Sequence, residues 1–159
     1  MDKTNVMRLL DQKKIRYESF CYADTQETNG EKVAAILGQN PDQVFKTLVT
    51  VGASKRNYVF VVPVNKELDL KKAAKSVGEK NIEMIKSKEL LPLTGYIHGG
   101  CSPIGMKKLL RTTVDATAQN FEKIFFSAGK IGYQVCIPLS DLQKMIPLQL
   151  ADITTEKHD

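Results

Sequence analysis

Lys46 is the first residue whose surroundings ask for a chemical explanation. It sits in Asp42-Gln43-Val44-Phe45-Lys46-Thr47-Leu48, inside a β-rich run whose other members are mostly apolar. Alternation along a strand puts Phe45, Thr47, Val49 and Val51 on one face and Val44, Lys46, Leu48 and Thr50 on the other. An ammonium among apolar neighbours either reaches water along its alkyl stem or serves a pocket. In a pocket it is a compact cation with three donors, able to hold a carbonyl or phosphate oxygen or to stabilise developing negative charge. The second constellation is Gly99-Gly100-Cys101-Ser102-Pro103-Ile104-Gly105. Its glycines let backbone approach a ligand and let successive N–H groups converge on an oxygen, and Ser102 adds a hydroxyl. The same residues also describe a tight turn. The spacing is neither a Walker loop nor a dinucleotide fingerprint.

Other chemistries find less support. A thiol nucleophile needs a base and a third group to orient that base. His98 is near Cys101 in sequence, but no orienting group is evident, and the other histidine, His158, is in the tail. Cys21, Cys101 and Cys136 are widely spaced, with no Cys-x-x-Cys and no Cys/His ligand set, so no zinc or other metal site is expected. No motif calls for a cofactor. Three basic groups stand out: Lys13, Lys14 and Arg16; Lys71, Lys72 and Lys75; Lys107, Lys108 and Arg111. A solvated face accounts for any one of them. The last follows the glycine run directly and is the better candidate for gripping a phosphate backbone beside a site.

Composition sets the outer bounds. The chain has 159 residues, 42% apolar and 26% charged, with a net charge of +5 and a pI near 9.0. That mixture excludes disordered and fibrous classes and suits one domain over residues 1–159. No apolar run approaches the roughly 18–20 residues of a membrane span, and the N-terminus lacks the apolar core of a signal peptide. Free thiols suit a reducing cytoplasm, which is the expected location.

The elements that must position these residues follow from pattern. Val6, Leu9 and Leu10 mark a first helix, capped by Thr4 or Asn5. Tyr17 to Tyr22 reads as a strand, and Glu31 to Leu37 as a helix closed by Gly38. Val44 to Val51 and Tyr58 to Val64 form a hairpin across Gly52 to Asn57. Leu68 to Val77 is a helix with Asp69 as its cap. A short strand at Ile82 to Ile85 and a short helix at Ser87 to Leu91 follow, and Tyr96 to His98 reads as a strand entering the glycines. Thr113 to Asp115, Ile124 to Ser127 and Gln134 to Ile137 are further strands. Ser140 is expected to cap a last helix through about Ile146, and residues 154–159 to fray. Strict strand–helix alternation is absent, so the expected class is α+β: a mixed, strongly curved, barrel-like sheet with helices packed around it.

Taken together, Asn40-Pro41-Asp42-Gln43-Val44-Phe45-Lys46-Thr47-Leu48, Leu68-Asp69-Leu70-Lys71-Lys72, Gly95-Tyr96, Gly99-Gly100-x-Ser102-Pro103-x-Gly105 and Val114-Asp115-Ala116 resemble the YbaK/EbsC family in order and spacing. That family comprises free-standing Cys-tRNA(Pro)/Cys-tRNA(Cys) deacylases and is similar to the editing insertion of bacterial prolyl-tRNA synthetases. The resemblance runs from Thr4 to about Ile153. It implies that Lys46 is the essential lysine of the pocket. It implies that Gly99, Gly100, Ser102 and Gly105 shape the loop facing the aminoacyl ester, that Tyr22 is on the pocket wall, and that Gln134 stands where the family commonly has a carboxylate. The family often has an aromatic between Asn29 and Gly30, which this chain lacks. The partners implied are the 3′ end of an aminoacyl-tRNA and prolyl-tRNA synthetase in a transient complex; no DNA, membrane or cofactor is expected. The implied reaction removes cysteine by attack of the substrate's own thiol on the ester. Two alternatives stay open: a deacylase of another small amino acid such as Ala-tRNA(Pro) using water, and a non-catalytic tRNA-binding module.

Overall fold

A computed structural model describes residues 2–157. Helix α1 (Asn5–Gln12) begins where Thr4 accepts the Met7 N–H on its hydroxyl, at 3.3 Å. β1 (Glu18–Cys21) leads through a 3₁₀ turn to α2 (Gly30–Ile36), whose N-cap Asn29 accepts the Lys32 N–H at 3.1 Å. The hairpin β2 (Phe45–Gly52) and β3 (Asn57–Pro63) follows, then β4 (Lys66–Leu68) and α3 (Leu70–Val77). Asp69 caps α3 as expected, accepting the Lys71 and Lys72 N–H groups at 3.0 Å. The remaining elements are β5 (Ile82–Met84), α4 (Ser87–Thr94), β6 (Arg111–Asp115), β7 (Ile124–Ser127), β8 (Tyr133–Ile137), α5 (Leu139–Met145), β9 (Leu148–Ala151) and β10 (Thr154–Glu156).

The sheet arrangement is mixed, as expected, but not barrel-like. Five strands run in the order β5-β2-β3-β6-β9, three in the order β1-β8-β7, and β10 pairs with β4. The β5 and β9 edges do not pair with each other, so the sheet stays open. A parallel bridge between Val44 and Phe125 links the two larger sheets. β3–β6 and β6–β9 are parallel, whereas β2 is antiparallel to both β3 and β5.

Alternation on β2 and β3 divides the interior. Phe45, Val49, Val59 and Val61 join the larger core with Val6, Leu10, Phe126, Val135 and Leu142. Tyr58, Phe60 and Val62 face the other way, against Ala73, Ala74 and Val77 of α3 and against Ile82 and Ile153. Fully burying one of the Val, Leu, Ile or Phe side chains contributes about 1.5–3 kcal/mol before conformational entropy is charged against it.

Four expectations are corrected. Tyr96–His98 is not a strand but an irregular segment turning at His98-Gly99. The Tyr96 hydroxyl donates to the Ile104 carbonyl across that loop instead of projecting from a ladder. Ser140 lies inside the first turn of α5; Pro138 takes the N-cap position and brings no side-chain cap. Leu68 closes β4 rather than opening α3, because it pairs with Thr154. Thr154–Glu156 is a strand rather than a frayed end, held by that pairing and by the Lys66–Glu156 ion pair. His158 lies outside the described residues. No helix among the described residues is long and apolar enough to cross a membrane.

Candidate functional site

A cavity of about 460 Å³ is lined by residues of both larger sheets and by Val44 of the bridge. β2 supplies Phe45 through Val49, α2 and its approach supply Thr28 through Glu31, and the turn before Cys101 supplies His98 and Gly99. Tyr22, Ser127 and Gln134 close the side toward the three-stranded sheet.

Lys46 lines this cavity, half-buried, and pairs in register with Val62. Strand alternation places it with Leu48 on the face that carries Phe60 and Val62. Among the described residues no hydrogen bond or ion pair holds its ammonium. Burial lowers its pKa from the ordinary lysine value, and the like charge of Lys157 lowers it further; Glu31 and Glu67 pull the other way. An unpaired, desolvated cation in a cleft is a candidate functional group.

The glycine segment divides by role. Gly99 lines the cavity at φ +88°. Gly100 does not; its N–H donates to the Ile97 carbonyl at 3.0 Å, and a Cβ there would stand 3.1 Å from the Ile131 backbone nitrogen. Ser102 is fully buried outside the cavity wall, and its hydroxyl accepts the Ile104 N–H at 3.3 Å. Gly105, at φ +81°, packs where a Cβ would meet the Tyr96 hydroxyl oxygen at 2.8 Å. Gly100, Ser102 and Gly105 therefore hold the loop's shape from behind, while Gly99 and Cys101 present it to the cavity. Among the described residues the Gly99 and Cys101 N–H groups have no intramolecular acceptor.

Tyr22 and Gln134 both line the wall. Burial raises the Tyr22 pKa, so the phenol stays protonated at neutral pH. Gln134 is buried and forms a reciprocal amide pair with Gln39, at 2.8 and 3.1 Å. Cys101 and His98 do reach the same cavity, but burial pushes the thiol up to about 12, so it is no thiolate nucleophile near neutrality.

The basic trio lies elsewhere. Lys107 packs along Gly95, Lys108 is exposed, and the Arg111 guanidinium donates to the Val77 carbonyl and the Gln149 side chain at 3.4 and 3.3 Å. None of the three lines the cavity.

Thr28, Glu31, Thr47, Lys86, Ser87, Ser127 and Lys157 also line the cavity and were not singled out as site residues from the sequence. Thr47 has a buried hydroxyl with no hydrogen-bond partner among the described residues, and its adjacency to Lys46 was the available signal. Lys157 sits in a stretch that composition alone assigns to a loose end. No group of three or more potential metal ligands occurs among the described residues.

This geometry has relatives. The aminoacyl-tRNA editing domain family matches residues 25–145, and the chain belongs to that family. A protein of Enterococcus faecalis, EbsC, named as a candidate Cys-tRNA(Pro)/Cys-tRNA(Cys) deacylase, is 44% identical over 156 residues, covering 98% of this chain and 95% of its own. A proline–tRNA ligase of Shouchella clausii is 29% identical over 103 residues, which are 65% of this chain and 18% of that enzyme. The crystal structure of a candidate trans-editing enzyme for prolyl-tRNA synthetase superposes with a TM-score of 0.82 at 23% identity, covering 97% of this chain and 99% of the other, and so shares its fold.

Proposed function

We propose that the chain is a single cytoplasmic editing domain, over residues 1–159, that removes cysteine from mischarged Cys-tRNA(Pro) and Cys-tRNA(Cys). The observation that carries the reading is an unpaired, desolvated Lys46 lining the same cavity as Gly99 and Cys101, whose thiol is no thiolate near neutrality. The relationship to EbsC supplies the substrate class.

An aminoacyl ester is already activated, so positioning and charge stabilisation suffice. The cysteine thiol attacks its own carbonyl carbon. The sulfur–carbon bond forms, the ester carbon–oxygen bond breaks, and the thiol proton ends on the ribose oxygen of the departing tRNA. The product is a four-membered cyclic thioester, which water opens to free cysteine. Lys46 and the Gly99 and Cys101 N–H groups stabilise the oxyanion in between. Discrimination between small side chains is worth only about 1–3 kcal/mol per methylene. Prolyl-tRNA synthetase, in a transient complex, then contributes tRNA selection. Lys107, Lys108 and Arg111, lying away from the ester, serve the tRNA phosphates.

The test is a panel of Cys-tRNA(Pro), Cys-tRNA(Cys) and Ala-tRNA(Pro) incubated with the wild-type protein and with Lys46→Ala. Cysteine release by the wild type and its loss in the variant are expected. Preferential release of alanine would replace the substrate assignment, and tRNA binding without any turnover would replace the enzyme by a binding module. A tRNA charged with S-methylcysteine isolates the thiol: undiminished cleavage of it excludes intramolecular attack. Gel filtration with synthetase and tRNA at low salt is expected to give a joint complex.

A further inference from the structure

We propose that Glu31 is the receptor for the α-ammonium group of the aminoacyl ester, and that Lys157 is its resting counter-ion, exchanged for the substrate's cation on binding. The inference rests on the editing reading above and assigns one group of that substrate.

Esterification removes the carboxylate charge of an amino acid and leaves the amine, so an aminoacyl end entering the cavity brings a cation next to the reacting carbonyl. The wall it meets is rich in like charge. Lys46, Lys86 and Lys157 all line the cavity, and Glu31 is the sole carboxylate among the described lining residues. A second ammonium can settle there only beside Glu31 without facing uncompensated repulsion. Glu31 stands in the first turn of α2, next to Gly30. A Cβ on Gly30 would lie 2.5 Å from a Val64 side-chain carbon, so helix α2 is seated tightly and Glu31 has a fixed base.

In the unliganded protein Glu31 is ion-paired to Lys157. The two side chains keep 44% and 32% of their exposure, so water screens the pair and opening it costs little. Lys157 follows β10 directly. That segment is fastened by the β4 pairing and by the Lys66–Glu156 and Lys72–Asp152 ion pairs. Exchange therefore moves one side chain and leaves the strand in place. The pair is also felt at the reacting end, since Glu31 and Lys157 shift the Lys46 ammonium in opposite directions.

Calorimetric binding of a non-cleavable 3′-cysteinylamido-adenosine, with its amine free or N-acetylated, tests the assignment. The wild type is expected to prefer the free amine by about tenfold, the scale of one charge-assisted contact. Glu31→Gln should abolish the preference by weakening the free amine alone. Lys157→Met should keep the preference or increase it, because the receptor loses a competitor. Absence of preference in the wild type, absence of binding by either form, equal weakening of both forms by Glu31→Gln, or loss of preference in Lys157→Met would each overturn the proposal; the last would make the pair a structural clamp. Deacylation of Cys-tRNA(Pro) is measured alongside. Missing turnover with an intact amine preference sinks the catalytic reading and leaves the receptor assignment standing.

Discussion

Replacing Lys46 with methionine separates a catalytic cation from a structural one, because the two roles move stability in opposite directions. Methionine is close to lysine in length and apolar, so it fills the same space beside Leu48 and Val62. The ammonium it removes is half-buried, unpaired among the described residues and held below its ordinary pKa by desolvation. Folding therefore works against that charge, and removing it should leave the protein as stable as before or stabilise it by up to about 1 kcal/mol, discounted for partial exposure. In a protein of this size that gain is a Tm rise of about 2–4 °C. Activity should fall steeply, since a preorganised donor to a developing oxyanion is worth about 2.7–4 kcal/mol, or 10²–10³ in kcat. Single-turnover deacylation of Cys-tRNA(Pro) and thermal unfolding, measured on the same preparation, give both numbers. Full activity, or a loss of stability of more than about 1 kcal/mol, would refute the reasoning; the second outcome would mean that Lys46 holds the fold together.

Three further outcomes follow from the same geometry. Because folding lowers the Lys46 pKa, the unfolded chain holds a proton that the folded chain has released between that lowered value and the ordinary one; this residue's contribution to stability thus rises with pH through that window. Its working cationic form is lost earlier, so the alkaline limb of kcat should lie below the ordinary lysine value, moving up in Lys157→Met and down in Glu31→Gln; a limb unmoved by either variant would contradict the shared field. Gly132→Ala should cost about 3 kcal/mol by urea denaturation, since Gly132 has φ +90° and the new methyl would meet the Ala23 backbone at 2.7 Å; a cost below about 1 kcal/mol would show that the chain yields there. Cys101→Ala should retain deacylase activity, because burial pushes the thiol up to about 12, and abolition of turnover in a folded variant would reinstate a thiol mechanism.

Local features were largely legible in the sequence. Thr4, Asn29 and Asp69 announce helix starts because capping is a contact across two or three residues, and the β2–β3 hairpin shows in its flanking apolar runs. Lys46 and Gly99 could be singled out because a lone cation in an apolar strand and a glycine-rich bend are anomalies of pattern. Other assignments required distance. β4, β9 and β10 are three- and four-residue strands whose ladders join residues far apart in sequence, such as Leu68 with Thr154 and Leu150 with Val114, and segments so short carry no period of their own. The open sheet likewise depends on which edges meet, and pattern reports only that edges exist.

The amino-acid order by itself determined most of the helices, the central hairpin, the odd lysine and the glycine-rich bend, since each is a matter of neighbours along the chain. Tertiary structure alone decided which polar groups share the cavity. It turned Gly100, Ser102 and Gly105 to the back of the loop and carried Arg111 away. It also brought Lys157, from a stretch that looked loose, against Glu31 at the other end of the chain. The physical reason is that ion pairs, burial and strand pairing act through space, and the separations they bridge here, as in Lys157–Glu31, leave no trace in local composition.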